Sequence, residues 1–400
     1  FDVPGKHYNN YRDGKTNEQE FSRILDKGCS GGGACPVMAT ANTMSTLTEA
    51  LGMSLPGTAA IPGTDSRLKR MAFNAGFQAV QLHRANIRAG DIMTPEAFQN
   101  AIRVLMAVGG STNGILHLQS IASELDIELP PEMFNKLSKS TPFICDIAPS
   151  GNPLNNMADL DAVGGVQTVL KELQPILNTD VITVTGQSLA KDLKQAQKGD
   201  GKVVRSLEFP LTPDGGLFFL TGSLAPEGAL VKTSAVPKNM LQLKGPARIF
   251  PREEDACEAL QAGELIPGDV VVVRNKGPKG DPGMRISHRF LWMLAGKGLQ
   301  DTIAFITDGR LSGSNKGCAI AHLSPEAAER GPLAVLQEGD LIEIDIPAGI
   351  LNVDLTEAEM EKRLSEWQPT PSKIRKGYLA LYSRLAKSPS RGASLEYDWD

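Results

Sequence analysis

The stretch Thr307-Asp308-Gly309-Arg310-Leu311-Ser312-Gly313-Ser314, directly after the apolar run Thr302-Ile303-Ala304-Phe305-Ile306, decides how this chain reads. The apolar run has the character of a buried strand. Where it ends, a glycine-flanked loop presents two hydroxyls, an acid and a base, and a short helical segment is expected over 318–328. In open α/β architectures ligands bind beyond the carboxyl ends of strands. Taken alone, the same residues would also make a turn with capping serines, so the surrounding chain must decide between the two.

Downstream of about residue 217, strand-like runs recur at 217–221, 229–233, 247–250, 269–273, 302–307 and 340–346, with helices at 253–262 and 325–330. This order suggests a β-barrel-like domain with helical cover. Upstream, residues 35–171 are mainly helical in pattern, with Gly/Pro punctuation at 56–63 and 147–153. Pro95–Val108 places Phe98, Ile102, Leu105 and Met106 on one face at helical spacing. Residues 180–185 read as a strand, 187–198 as a polar helix and 198–202 as a loop. Residues 1–30 are polar and read as an approach to the core. The expected division is a partial α/β domain over 1–178 and a β-barrel-like domain over 179–400. No internal repeat is visible, and the Gly/Pro-rich 277–283 reads as a rigid loop near the site.

The chain has 400 residues, 41% hydrophobic and 22% charged, with a net charge of −5. That is ordinary for a globular protein with a substantial core. No basic patch points to nucleic acid, and no apolar run approaches the roughly 20 residues of a membrane helix. Five scattered cysteines argue for a reducing compartment, cytoplasm or an organelle matrix. The start at Phe1 suggests that the natural beginning lies upstream.

Cys35 follows the glycines 31–33 and precedes a helix carrying Thr40, Asn42 and Thr43. A thiol at a helix amino terminus is a better metal ligand because the dipole favours its thiolate. Cys29 is a candidate partner, whereas Cys145, Cys257 and Cys318 sit in contexts that suit structural thiols. Gly109-Gly110-Ser111-Thr112-Asn113 opens a helix over 114–125. Ser111 or Thr112 there is a good N-cap, and the exposed N–H groups also favour an anion such as a carboxylate. The histidines carry no motif; His117 and His322 read as packed residues, although His322 follows the Ser312 loop.

Several segments together resemble the dihydroxy-acid dehydratase / phosphogluconate dehydratase family, which includes sugar-acid dehydratases. They are A-C-P-V-M-A-T-A-N-T-M at 34–44, E-A-L-G-M-S-L-P-G at 49–57, G-G-S-T-N at 109–113, P-S-G-N at 149–152 and T-V-T-G-Q-S-L at 183–189. In the carboxyl half come G-S-L-A-P-E-G-A and V-K within 215–232, G-P-A-R at 245–248, G-P-K-G-D-P-G-M at 277–284, T-D-G-R-L-S-G at 307–313 and S-P-E-A-A-E-R-G-P at 324–332. The resemblance implies a three-layer α/β amino-terminal domain, here partial, and a β-barrel-type carboxyl-terminal domain, with the active site between them. It implies an iron–sulfur cluster, 2Fe-2S rather than 4Fe-4S, with Cys35 as a ligand, and Mg²⁺. It places Ser312 as the base that takes the C2 proton and Ser314 at a substrate-binding hydroxyl position; the residues themselves add Ser111, Thr112 and Arg310 as candidate substrate contacts, Arg310 with a structural ion pair to Asp308 as the alternative. It also implies a homo-oligomer, a dimer or tetramer, acting on a small acid.

Two departures stand beside the matches. The family's C-D-K-T motif, which supplies a cluster cysteine, a metal-binding Asp and a Lys that can be carbamylated, is absent from the sequence. Where the family places a metal-binding Glu, this chain has Lys276. A serine hydroxyl is far too weakly acidic to act as a base without nearby cations. Residues 55–62 resemble the sugar-acid branch of the family and residues 378–387 the branched-chain biosynthetic branch; the resemblance leans to a dehydratase of sugar acids. A dihydroxy-acid dehydratase of branched-chain amino-acid biosynthesis, and a catalytically silent homologue or fragment serving as a binding subunit, are the alternatives.

Overall fold

The computed structural model describes residues 2–27, 32–370 and 374–396. It forms two compact units, one of Ser30–Leu217 and one of Phe1–Cys29 with Phe218–Asp400.

The second unit is built on ten strands: β1 (Phe218–Leu220), β2 (Gly228–Val231), β3 (Gln242–Phe250), β4 (Val270–Val273), β5 (Ile286–Ser287), β6 (Ala304–Thr307), β7 (Arg310–Leu311), β8 (Ala319–Ser324), β9 (Leu341–Asp345) and β10 (Ile350–Val353). Eight of them make one sheet in the order β1-β2-β8-β6-β4-β3-β9-β10, while β5 and β7 pair separately. The central β3, β4, β6 and β8 run parallel and the flanking pairs antiparallel. Helices Glu253–Ala262 and Arg289–Gly296 lie in the β3–β4 and β4–β6 crossovers, as parallel pairing demands. The sheet curls until its two edges nearly meet. Thr221, just after β1, donates to Gly349 O at 2.9 Å and accepts from Leu351 N–H at 2.9 Å.

Strand alternation sorts the core into two faces. Val270, Val272, Ala304, Ile306 and Ile320 fill one cluster with Ile342, Ile344 and Leu351 from the far strands. Val271, Val273 and Phe305 face the crossover helices, where Phe305 stacks on Phe290 at 5.4 Å between ring centres. The helix Asp2–Arg12 belongs to this unit: Asn9 Nδ2 donates to Met293 O at 2.9 Å.

The stretch expected to be helical after the Ser312 loop is instead β8. Ala319–Leu323 is an almost unbroken apolar run, buried on both sides between β2 and β6, and such runs fit a buried strand as well as a helix. The helix expected at 325–330 shrinks to one 3-10 turn, Ala327–Glu329.

In the Ser30–Leu217 unit the helix Pro95–Val108 is central. Thr94 caps it through Ala97 N–H at 3.3 Å, Pro95 opens it, and Gly109 at φ 54° ends it. Helices Thr40–Ala50, Asn113–Ser123, Pro131–Lys139 and Gly165–Leu173 pack on it. The three-layer α/β arrangement expected here is not formed: among the described residues of this unit no strand is present, only isolated bridges. The strand expected at 180–185 lacks a neighbouring strand to pair with and bends into a turn. There Thr183 and Thr185 donate to the Asp192 carboxylate at 2.6 and 2.9 Å. Residues 179–217 stand with the helices, through Val184 N–H to Gly52 O (2.7 Å) and Asp146 N–H to Val203 O (2.8 Å). No described helix is long and apolar enough to cross a membrane.

Candidate active site

Parallel pairing of β4 with β6 sets Val273 opposite Thr307. The chain leaving β4, Arg274-Asn275-Lys276, therefore emerges beside the chain leaving β6, which begins with Asp308. Asp308 is fully buried, and its carboxylate accepts N–H bonds from Asn275 (3.1 Å), Lys276 (2.7 Å) and Ala327 (2.9 Å). Burial pushes its pKa up, while the three N–H donors oppose that.

Glu326 repeats the device one step out. It accepts from Lys279 N–H and Gly280 N–H, both at 2.8 Å. Burial, and then the charge of Asp308, push its carboxyl up to about 8. Two buried carboxylates thus pin the 275–280 loop by its main chain. The loop's glycines follow from this closeness: a Cβ on Gly277 would meet Glu326 Oε2 at 2.5 Å, and one on Gly309 would meet Lys276 Cβ at 2.6 Å.

On that frame sits the Ser312 loop. Ser312 Oγ and Ser314 Oγ share a hydrogen bond of 2.8 Å, and Ser314 N–H donates to Ser312 Oγ at 3.3 Å. Asn315 N–H closes the turn on Ser312 O at 3.2 Å. From β2, Lys232 reaches in and donates from Nζ to Gly313 O at 2.9 Å. This lysine is buried, and desolvation of its ammonium draws its pKa down to about 7.

Arg310 turns its guanidinium to backbone: Nε donates to Met284 O (2.7 Å) and Nη2 to Gly283 O (3.3 Å). Asp308 and Arg310 form no ion pair with each other. Lys276 Nζ lies 3.7 Å from Asp281 Oδ2. His322 is buried beneath the loop, its N–H on Gly309 O at 3.0 Å.

Cys35, Ser111 and Thr112 belong to the other unit. The structure brings the first two to the start of one helix, Thr40–Ala50. Asn42 on its first turn donates to the carbonyls of Cys35 and Val37, and Thr40 Oγ1 shares a 2.9 Å hydrogen bond with Ser111 Oγ. Ser111 Oγ also accepts Asn113 N–H at 3.2 Å, so the helix expected at 114–125 is Asn113–Ser123, with Thr112 at its N-cap position. The Thr112 hydroxyl is buried and meets no hydrogen-bond partner.

The thiols of Cys145, Cys257 and Cys318 are buried and pushed up to about 12, which makes them poor thiolate ligands. Cys35 is partly exposed and unpaired; Cys29 lies outside the described residues. No group of three or more His, Cys, Asp or Glu among the described residues is placed to hold a metal ion. Of the cluster and Mg²⁺ ligands that the resemblance implies, the described residues offer the partly exposed Cys35 thiol.

Two family models cover the chain in tandem: dihydroxy-acid/6-phosphogluconate dehydratase N-terminal over residues 4–192, and its C-terminal counterpart over 202–393. The dihydroxy-acid dehydratase of Acetivibrio thermocellus is 45% identical over 388 residues, 96% of this chain and 70% of the relative. Those of Caldanaerobacter subterraneus and Dehalococcoides mccartyi are each 46% identical, over 95% of this chain and 68% of the relative. The chain belongs to the dihydroxy-acid/6-phosphogluconate dehydratase family. In this member of a dehydratase family, T-D-G-R-L-S-G at 307–313 lies on a loop supported by Lys232 and by the Asp308–Glu326 pair. Lys232 and Glu326 lay inside quoted motifs, V-K and S-P-E, but nothing in a single sequence marks a lysine as buried or a glutamate as facing backbone N–H groups.

Proposed function

We propose that this chain is a dihydroxy-acid dehydratase, a hydro-lyase converting a 2,3-dihydroxy acid into a 2-keto acid. The observation that carries the reading is the 45–46% identity, over nearly the whole chain, to relatives of that name. The sugar-acid preference gives way to the branched-chain alternative. It leaned on residues 55–62, and that loop has a structural use: the buried Glu49 carboxylate accepts Gly57 N–H (2.8 Å) and Ala59 N–H (2.9 Å).

Dehydration breaks the C2–H and C3–O bonds, loses water and leaves an enol that tautomerises to the 2-keto acid. Ser312 Oγ takes the C2 proton. Its neighbours suit that task, since Ser314 N–H and the Ser314 hydroxyl both converge on Ser312 Oγ. Lys232 holds Gly313 from behind and sets a cationic group in the same loop at and below neutral pH. Asp308 and Glu326 act as positioning residues through the main chain. When bound, an iron–sulfur cluster and Mg²⁺ would supply Lewis acidity for the leaving hydroxyl and the substrate oxygens. Cys35 is the residue of this chain proposed as a cluster ligand.

The test is turnover by the anaerobically prepared protein, with a branched 2,3-dihydroxy acid against a sugar acid. Faster 2-keto acid formation from the branched acid is expected. Preference for the sugar acid would reverse the substrate assignment, and turnover of neither would leave the binding-subunit reading.

A further inference from the structure

Asn315 is 6% exposed, and within the chain neither its Oδ1 nor its Nδ2 meets a hydrogen-bond partner. A buried amide left in that state is destabilising, and a fold retains such a group where something else satisfies it. The residue is not at a careless position. Its N–H closes the turn on Ser312 O at 3.2 Å, and the Ser312–Ser314 hydroxyl pair and the Lys232–Gly313 bond lie in the same few residues.

We propose that Asn315 is a specificity residue that reads the vicinal diol of the substrate; this rests on the dehydratase reading above. A carboxamide offers N–H donors on one side and an acceptor on the other. Two neighbouring hydroxyls match that pattern, one accepting from Nδ2 and one donating to Oδ1. The 2-keto product does not: its C2 oxygen is a carbonyl without a hydrogen to give, and C3 carries no oxygen. Asn315 therefore favours the dihydroxy acid over the keto acid, which helps the product leave.

The experiment compares the wild-type chain with Asn315→Leu, close in shape and without polar atoms. Calorimetric binding of a branched 2,3-dihydroxy acid and of its 2-keto product is measured beside the melting temperature of the ligand-free proteins. The expected result is a melting temperature unchanged or raised, diol affinity lowered at least about ten-fold, and keto-acid affinity lowered less than about three-fold. Equal losses for both acids, no loss for either, or a lowered melting temperature would overturn the proposal, since each makes the amide a structural group. Failure of the wild type itself to bind the diol would instead bring down the dehydratase reading on which the inference stands.

Discussion

Lys232 illustrates how a single side chain ties the fold to the chemistry. Its ammonium is buried beside a carbonyl and, among the described residues, has no ion-pair partner, so the folded chain holds its proton less tightly than the unfolded chain does. Between about pH 7 and the ordinary lysine value of 10.5 the unfolded state binds more protons, and stability therefore rises with pH across that window. Removing the amine in Lys232→Met should flatten that rise, whose slope for one group is at most about 1.4 kcal/mol per pH unit. Urea unfolding of both proteins at pH 7 and pH 9.5 reads the difference; parallel pH profiles would mean that the lysine is already satisfied at neutral pH. Cys35 makes the complementary case for metal. It is the partly exposed thiol among the described cysteines. Cys35→Ser should lower the iron and acid-labile sulfide of the anaerobically purified chain, and unchanged contents would assign the cluster to other ligands.

At the scale of elements, the Asp308–Glu326 frame ties the loop after β4 to the segments that follow β6 and β8 through main-chain hydrogen bonds. Glu326 runs opposite to Lys232. Its carboxyl is raised to about 8 from 4.5, so its protonated form is favoured on folding, and stability is lost as pH climbs from about 4.5 to 8. Glu326→Gln should cut that alkaline loss while weakening the grip on Lys279 and Gly280, seen as faster amide exchange in 275–280. If exchange there is unaltered, the carboxylate does not anchor the loop. Legibility differed among elements for physical reasons. Pro95–Val108 was readable to the residue because Thr94, Pro95 and Gly109 mark its ends. β4 and β6 were readable because valines and isoleucines buried on both faces leave a clear run. β8 was misread because an apolar run lacks a period, and only the open edges of β2 and β6 decide its state. Ser312 was visible as a motif, whereas Asp308's grip on three backbone N–H groups depends on the 273–307 register, which no local pattern encodes.

For the molecule as a whole, the Ser312 loop sits beyond the carboxyl ends of parallel strands in a nearly closed sheet, where α/β folds place their ligands. The helical unit carries Cys35, Ser111 and Thr112, and the described residues of neither unit complete a metal site. The central claim is that Ser312 takes the C2 proton. The most direct test follows 2-keto acid formation from C2-protiated and C2-deuterated branched dihydroxy acid by wild-type protein and Ser312→Ala. The account predicts a primary isotope effect in the wild type. In the variant it predicts loss of at least about 10³-fold in turnover, in line with the upper range for removing a general base, with the melting temperature unchanged. Turnover by Ser312→Ala within ten-fold of wild type would contradict it.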